Sequence, residues 1–165
     1  MSYNHNKEYT TFIPADNISE IVTSIQTNSL PRFDYGNNAE IIANLKELTI
    51  GKYPLILLPL PTIKCRKLAF DTVDNFDFDI YIIAETESTY SASQNKDIFE
   101  NDLYPIYSNF ITAMQANKWF RSELRDIEHD QQDLYSLGYD KNSNELNDFV
   151  NAIYLSFKNI NINKI

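Results

Sequence analysis

The stretch Asp71–Thr86, DTVDNFDFDIYIIAET, decides how this chain folds. Phe76, Phe78, Ile80, Ile82 and Ala84 fall on alternate positions, with Asp77, Asp79, Tyr81, Ile83 and Glu85 between them. Successive side chains of an extended strand point to opposite faces. The pattern therefore predicts a long strand with an apolar face on the core and a more polar, acidic face turned away from it. On its N-terminal side, Tyr53–Leu60 (YPLILLPL) is a continuous apolar run bounded by turn formers, which reads as a buried strand whose prolines end its pairing. A further strand fits around Lys64–Phe70. On its C-terminal side, Thr86–Asn95 is polar and reads as a loop.

Two helices are predicted before this block. In Asp16–Gln26, Ile18, Ile21, Val22 and Ile25 recur at helical spacing, with Asp16 or Asn17 as cap and Glu20 completing a capping box. In Asn38–Leu48 the stripe is Ile41, Ile42, Leu45 and Leu48, with Asn37 and Glu40 at capping-box spacing and Gly51 just past the end. After the block, Asn101–Trp119 reads as the longest helix. Leu103, Ile106, Tyr107, Phe110, Ile111 and Met114 form its apolar face, and Pro105 sits in its first turn, where a missing N–H costs nothing. Residues 120–145 are charged and irregular, with Gly138 in a turn. Phe149–Phe157 closes the fold as a strand, with Phe149, Ile153, Leu155 and Phe157 on one face. The expected fold is α+β: a largely antiparallel twisted sheet of about four strands, with two N-terminal helices and one long helix packed on it. Residues 1–14 read as an N-terminal arm and 15–165 as one domain.

Composition bounds the function. The chain has 165 residues, enough for one core. Its net charge of -9 argues against gripping DNA or anionic lipid through bulk charge. One cysteine allows no intrachain disulfide and no zinc site built on thiolates. The longest apolar stretch, Tyr53–Pro61, is too short to span a bilayer, and the polar start shows no signal peptide. Three glycines, at 36, 51 and 138, cannot make a phosphate loop or a nucleophile elbow.

Three groups could carry chemistry. Asp71, Asp74, Asp77 and Asp79 form an acidic cluster. Asp77 and Asp79 share a strand face with Cα atoms about 6.6 Å apart, a spacing that could seat a hard cation. The plainer reading is a solvated face or an acidic edge that discourages wrong pairing. His129 lies in Glu128-His129-Asp130, where a carboxylate could orient an imidazole base. Neighbours in a chain seldom face the same way, however, and no nucleophile pattern accompanies it, so a surface or turn histidine is the favoured reading. Cys65, between Lys64 and Arg66, reads as a structural thiol, and Trp119-Phe120 as core filling at a helix end in preference to an exposed anchor for a partner. A metal-assisted hydrolase using Asp77, Asp79 and His129 is one alternative; a monomeric acidic interaction module is another.

Specific words carry a family resemblance across residues 50–158. Lys52-Tyr53-Pro54-Leu55-Ile56 opens a buried strand, and Phe78-Asp79-Ile80-Tyr81-Ile82-Ile83-Ala84-Glu85-Thr86 follows, then a polar loop with Tyr90. Leu103-Tyr104-Pro105-Ile106-Tyr107 lies on a helix, and Asn147-Asp148-Phe149-Val150-Asn151-Ala152-Ile153 on the last strand, preceded by His129, Tyr135 and Gly138. This succession resembles the tail-terminator and tail-completion (neck ring) proteins of tailed bacteriophages of Bacteroidota, crAss-like phages included. The long N-terminal arm and the dense Asp71–Asp79 cluster depart from that pattern. They leave open a terminator of a long tail or a ring of a short-tailed neck.

The resemblance implies a structural virion protein and no enzyme, with no cofactor. It implies a homo-oligomeric ring, of six or twelve copies, that meets the portal connector and tail ring proteins and lies in the virion after assembly in the host cytoplasm. DNA would pass through without being bound specifically, and no membrane is involved. On this reading Asp71, Asp74, Asp77, Asp79, Glu85, Glu87 and Tyr90 are expected on a lumenal or inter-ring surface.

Overall fold

The computed structural model describes residues 14–37, 53–59, 64–67, 73–87, 89–120, 127–137 and 149–163, some by backbone alone. The protein is α+β. Its elements are α1 (Pro14–Ile25), β1 (Arg32–Gly36), β2 (Leu55–Pro59), β3 (Lys64–Lys67), β4 (Val73–Thr86), α2 (Ala92–Ile98), a π-helical turn (Phe99–Leu103), α3 (Tyr104–Ala116), β5 (Asp130–Leu137) and β6 (Phe149–Asn163). The sheet has six strands, in the order β1-β2-β4-β6-β5 with β3 also paired to β4. All pairs are antiparallel except β1 with β2. The expected N-terminal arm, up to residue 13, and the expected helix Asn38–Leu48 lie outside the described residues.

The alternation in β4 has the expected result. Phe76, Phe78, Ile80, Ile82 and Ala84 all enter the main core, which lies between the sheet and the helices. There they meet Ile18, Ile21 and Val22 of α1, Phe110 and Met114 of α3, and Ile153, Leu155 and Phe157 of β6. Phe78 and Phe157 stack at 4.9 Å across the β4–β6 ladder. Burying each such ring contributes about 1.5–3 kcal/mol, so this central pair is a principal anchor of the layer. Trp119 and Phe120 are core residues, as expected of an apolar pair at a helix end.

Several boundaries differ from the sequence expectation, each for a physical reason. Pro14 opens α1 because its fixed φ suits the first turn; Asn17 is consequently a buried residue inside the helix and not its cap. Strand β1 (RFDYG) is too short to show a period, and its partner β2 is distant in sequence. It follows a tight reversal at Thr27–Leu30, where Asn28 and Ser29 both take positive φ. Gly36 ends it at φ 139, a conformation that a Cβ would oppose.

The polar segment expected to be a loop ends in α2, which a capping box starts: Ser91 Oγ accepts from Gln94 N–H, and Gln94 Oε1 accepts from Ser91 N–H. The long helix therefore begins at Ala92 and not at Asn101. It widens before Pro105, which has no N–H and whose ring crowds the carbonyl one turn back. There Tyr104 N–H bonds back five residues to Phe99 C=O.

The charged segment expected to be irregular contains β5, a polar strand at the sheet margin. In β6, Lys158 and Asn159 together oppose Asp77, a bulge that lets Phe157 and Ile160 both enter the core despite their spacing of three. In β5, Tyr135 and Ser136 oppose Asn151 in the same way.

Candidate functional site

The outer face of the sheet, opposite the helices, is built by the second half of each alternation. The β4–β6–β5 register lines up its rows. Asp79, Ser156 and Asp130 form one row, and Tyr81, Tyr154 and Gln132 the next. Ile83 and Ala152 follow, with Leu55 beside Ile83 and Leu134 beside Ala152. Leu55, Ile83 and Ala152 are buried as a second small cluster, against which half-buried Tyr53, Leu57, Tyr81, Leu134 and Val150 pack. The alternation puts Ile83 with the acidic residues. It does share their face, but it sits in this apolar middle.

The expected surface set divides accordingly. Asp77 and Asp79 do stand on one face, both half-buried. Glu85 is on the same face but about 20 Å farther along the strand, beyond Tyr81 and Ile83. The face is thus acidic at both ends and apolar between. Glu87 is exposed, and half-buried Tyr90 donates its backbone N–H to the Glu87 carbonyl at 3.1 Å. Asp74 is described by its backbone, which pairs with Lys67 and Ile162. Asp71 lies outside the described residues. Cys65 pairs with Phe76 through the β3 backbone.

Tyr81 and Tyr154 stand opposite each other with ring centroids 5.0 Å apart. Tyr154 hydrogen-bonds both Ser156 and Asp79. Burial raises the Tyr154 phenol pKa above 10.0; the bond from Ser156 opposes this, while the Asp79 and Asp130 carboxylates add to it. Burial also raises Tyr81, helped by Tyr154 and Asp79. Both rings stay neutral phenols through ordinary pH, so the pair is a hydrogen-bonding apolar surface and not a charged one.

On the helix side of the sheet, at the end of β4, a buried polar knot fixes the chain leaving the strand. Asn95 Oδ1 accepts from Thr86 Oγ1 at 2.7 Å and from Asn151 Nδ2 at 2.9 Å, and Asn95 Nδ2 donates to the Ser91 carbonyl at 3.2 Å. All three side chains are buried. This joins α2 to β4 and β6 and holds the turn bearing Glu87 and Tyr90 in place. Nothing in sequence spacing marks it, since Asn95 and Asn151 are far apart in the chain.

His129 belongs to the other side. Its Nε2 is 2.7 Å from the Tyr107 hydroxyl and its Nδ1 2.8 Å from the Ile127 carbonyl. A carbonyl only accepts, so Nδ1 carries a proton, and Nε2 of the neutral ring accepts from Tyr107. The imidazole also lies 5.2 Å from the core ring of Phe157. Asp130 faces outward in the Ser156 row, so the two neighbours in Glu128-His129-Asp130 point apart. Asp77 and Asp79 have the sheet between them and His129. The three residues of the hydrolase alternative are therefore not brought together, and among the described residues no three His, Cys, Asp or Glu side chains are grouped to hold a metal ion. Among the same residues no helix is long and apolar enough to cross a membrane.

No family model and no curated protein matches the chain.

Proposed function

We propose that the chain is a structural subunit of a ring in the neck or tail of a tailed phage, joining or capping the tail below the portal connector. The observation that carries this reading is the two-sided layer. Helices pack on one face of the sheet, the opposite face has an apolar middle between acidic ends, and β1 and β5 form opposite margins of the described sheet. Such a subunit presents different surfaces in opposite directions, as a heterologous contact that closes into a ring requires. The family resemblance supplies the place of the ring. A charge of -9 per subunit, repeated round it, gives an acidic lumen from which passing DNA is repelled. Asp71, Asp74, Asp77, Asp79, Glu85, Glu87 and Tyr90 are the residues this reading assigns to lumenal or inter-ring surface.

The test is the native mass of the purified chain, alone and mixed with the portal–connector complex of the virus that encodes it. A closed oligomer of six or twelve copies, or recruitment to the connector, is the expected result. A monomer that ignores the connector overturns the reading. If that monomer binds basic proteins in a salt-dependent way, an acidic interaction module replaces it.

A further inference from the structure

Strand β5 is joined to the molecule differently from its neighbours. β4 and β6 send Phe78, Ile80, Ile82, Ile153, Leu155 and Phe157 into the core between sheet and helices. From Asp130 to Leu134, where its side chains are described, β5 has no buried residue: Asp130, Gln131 and Gln132 are exposed, and Asp133 and Leu134 half-buried. Its register sets Gln131 and Asp133 opposite Leu155 and Ile153, on the helix side. What they meet there is polar. Tyr104 of α3 donates its hydroxyl to Asp133 Oδ2, and Gln131 Nε2 donates to Asp133 Oδ1 at 3.0 Å. Leu134, on the outer face, packs on the small Leu55–Ile83–Ala152 cluster. After Leu134 the Tyr135–Ser136 bulge interrupts the ladder with β6. The chain entering β5 is better anchored. Ile127 packs on the core, and the His129 ring bonds Tyr107 and lies 5.2 Å from Phe157.

We infer that β5 is a releasable strand: it lifts from β6 as a unit, pivoting at His129 and held shut by the Tyr104–Asp133 clasp, while the rest of the sheet and the helices stay folded. Opening breaks one ladder and the bonds of Asp133. Hydrogen bonds exchanged for bonds to water cost little net. From Asp130 to Leu134 the largest apolar side chain that moves is Leu134, and it leaves a half-buried place. Global unfolding must in addition bring Phe78, Phe157 and the aliphatic core into water, which costs far more. The two events therefore separate in free energy, as sub-global openings of a fold do. Opening lays bare the β6 backbone edge from Ala152 to Ser156, while β4 still holds the other edge of that strand. The device is independent of the ring reading, since it needs one chain alone.

Amide hydrogen exchange of the full chain, followed by NMR and repeated at low urea, reads the opening residue by residue. The β5 amides bonded to β6 should exchange well before those of β4, at rates that hardly respond to urea, because a local opening exposes little surface. Alternate residues of an interior antiparallel strand bond to opposite neighbours. Along β6, the amides bonded to β5 should therefore exchange with it, and those bonded to β4 should wait for global unfolding. Two variants separate the events. Ile21→Val, in α1, should speed the β4 amides about two- to tenfold and leave the β5 amides unchanged, because α1 stays packed when β5 opens. Tyr104→Phe keeps the ring and removes the clasp; it should speed both sets about two- to tenfold, because the clasp is lost in either event. If the β5 amides answer to urea and to Ile21→Val as the β4 amides do, the strand leaves with the whole fold and the inference is wrong. If Tyr104→Phe leaves β5 exchange unchanged, Tyr104–Asp133 is no clasp.

Discussion

Asn95 concentrates more polar bonding than any single position in its sequence neighbourhood suggests. Removing its side chain takes the shared acceptor from two buried donors, Thr86 Oγ1 and Asn151 Nδ2, whereas Thr86→Val removes one donor and leaves Asn95 bonded to Asn151. Buried donors that lose an acceptor cost about 1–3 kcal/mol each. Asn95→Ala is therefore expected to destabilise the protein by at least about 2 kcal/mol and Thr86→Val by about half that. Urea midpoints at unchanged slope measure both; equal losses would mean the knot is not shared. The tyrosines give a second prediction. Tyr81, Tyr107 and Tyr154 all have pKa values raised above 10.0, chiefly by burial. Below pH 10 they are protonated both folded and unfolded and add no pH dependence. Above it the unfolded chain loses those protons first, so stability falls as pH rises. Ultraviolet titration should show part of the 11 tyrosines ionising late, and Tyr154→Phe should soften the alkaline fall in melting temperature. At this scale sequence reading sees residue types but not partners. His129 was visible, while Tyr107, which bonds it from another element, was not.

Elements were legible where their period was local. The alternation of β4 and the stripe of α1 could be read directly, because each face is set by neighbours in the chain. β6 could be followed only to Phe157, since its bulge breaks the alternation at Lys158 and Asn159. β5 was hidden by its own bulge and its polar composition, and α2 by having only Asn95 buried. The β6 bulge makes an unusual prediction. Deleting Lys158 places Ile160 two positions after Phe157, which in a regular strand is the same face. The core is kept, and the loss should stay within about 1 kcal/mol of the unaltered protein. Deleting Tyr154 in the regular part of the strand turns every later side chain over and should abolish cooperative melting. Thermal unfolding of the two deletions decides this; equal damage would mean the register is not set by the core.

Charge acts on the whole molecule. Two acidic ends of one face and a net charge of -9 make self-repulsion a standing cost of the compact state. Raising salt from about 10 to about 150 mM shortens the screening length to about 8 Å and should raise the melting temperature. A fall would show that attractive pairs outweigh the repulsion. The α+β class was legible in the order of periodic segments, but the parallel β1–β2 pair and the two apolar faces depend on how distant segments meet. One buried side chain makes the closing of the two layers observable. Trp119, the single tryptophan, sits in the core where the end of α3 meets the sheet, beside Phe120, whose ring lies 6.5 Å from Phe78. Its emission is a natural optical gauge: blue while the helix layer is seated, red once that layer lifts from the strands, and legible without any added dye.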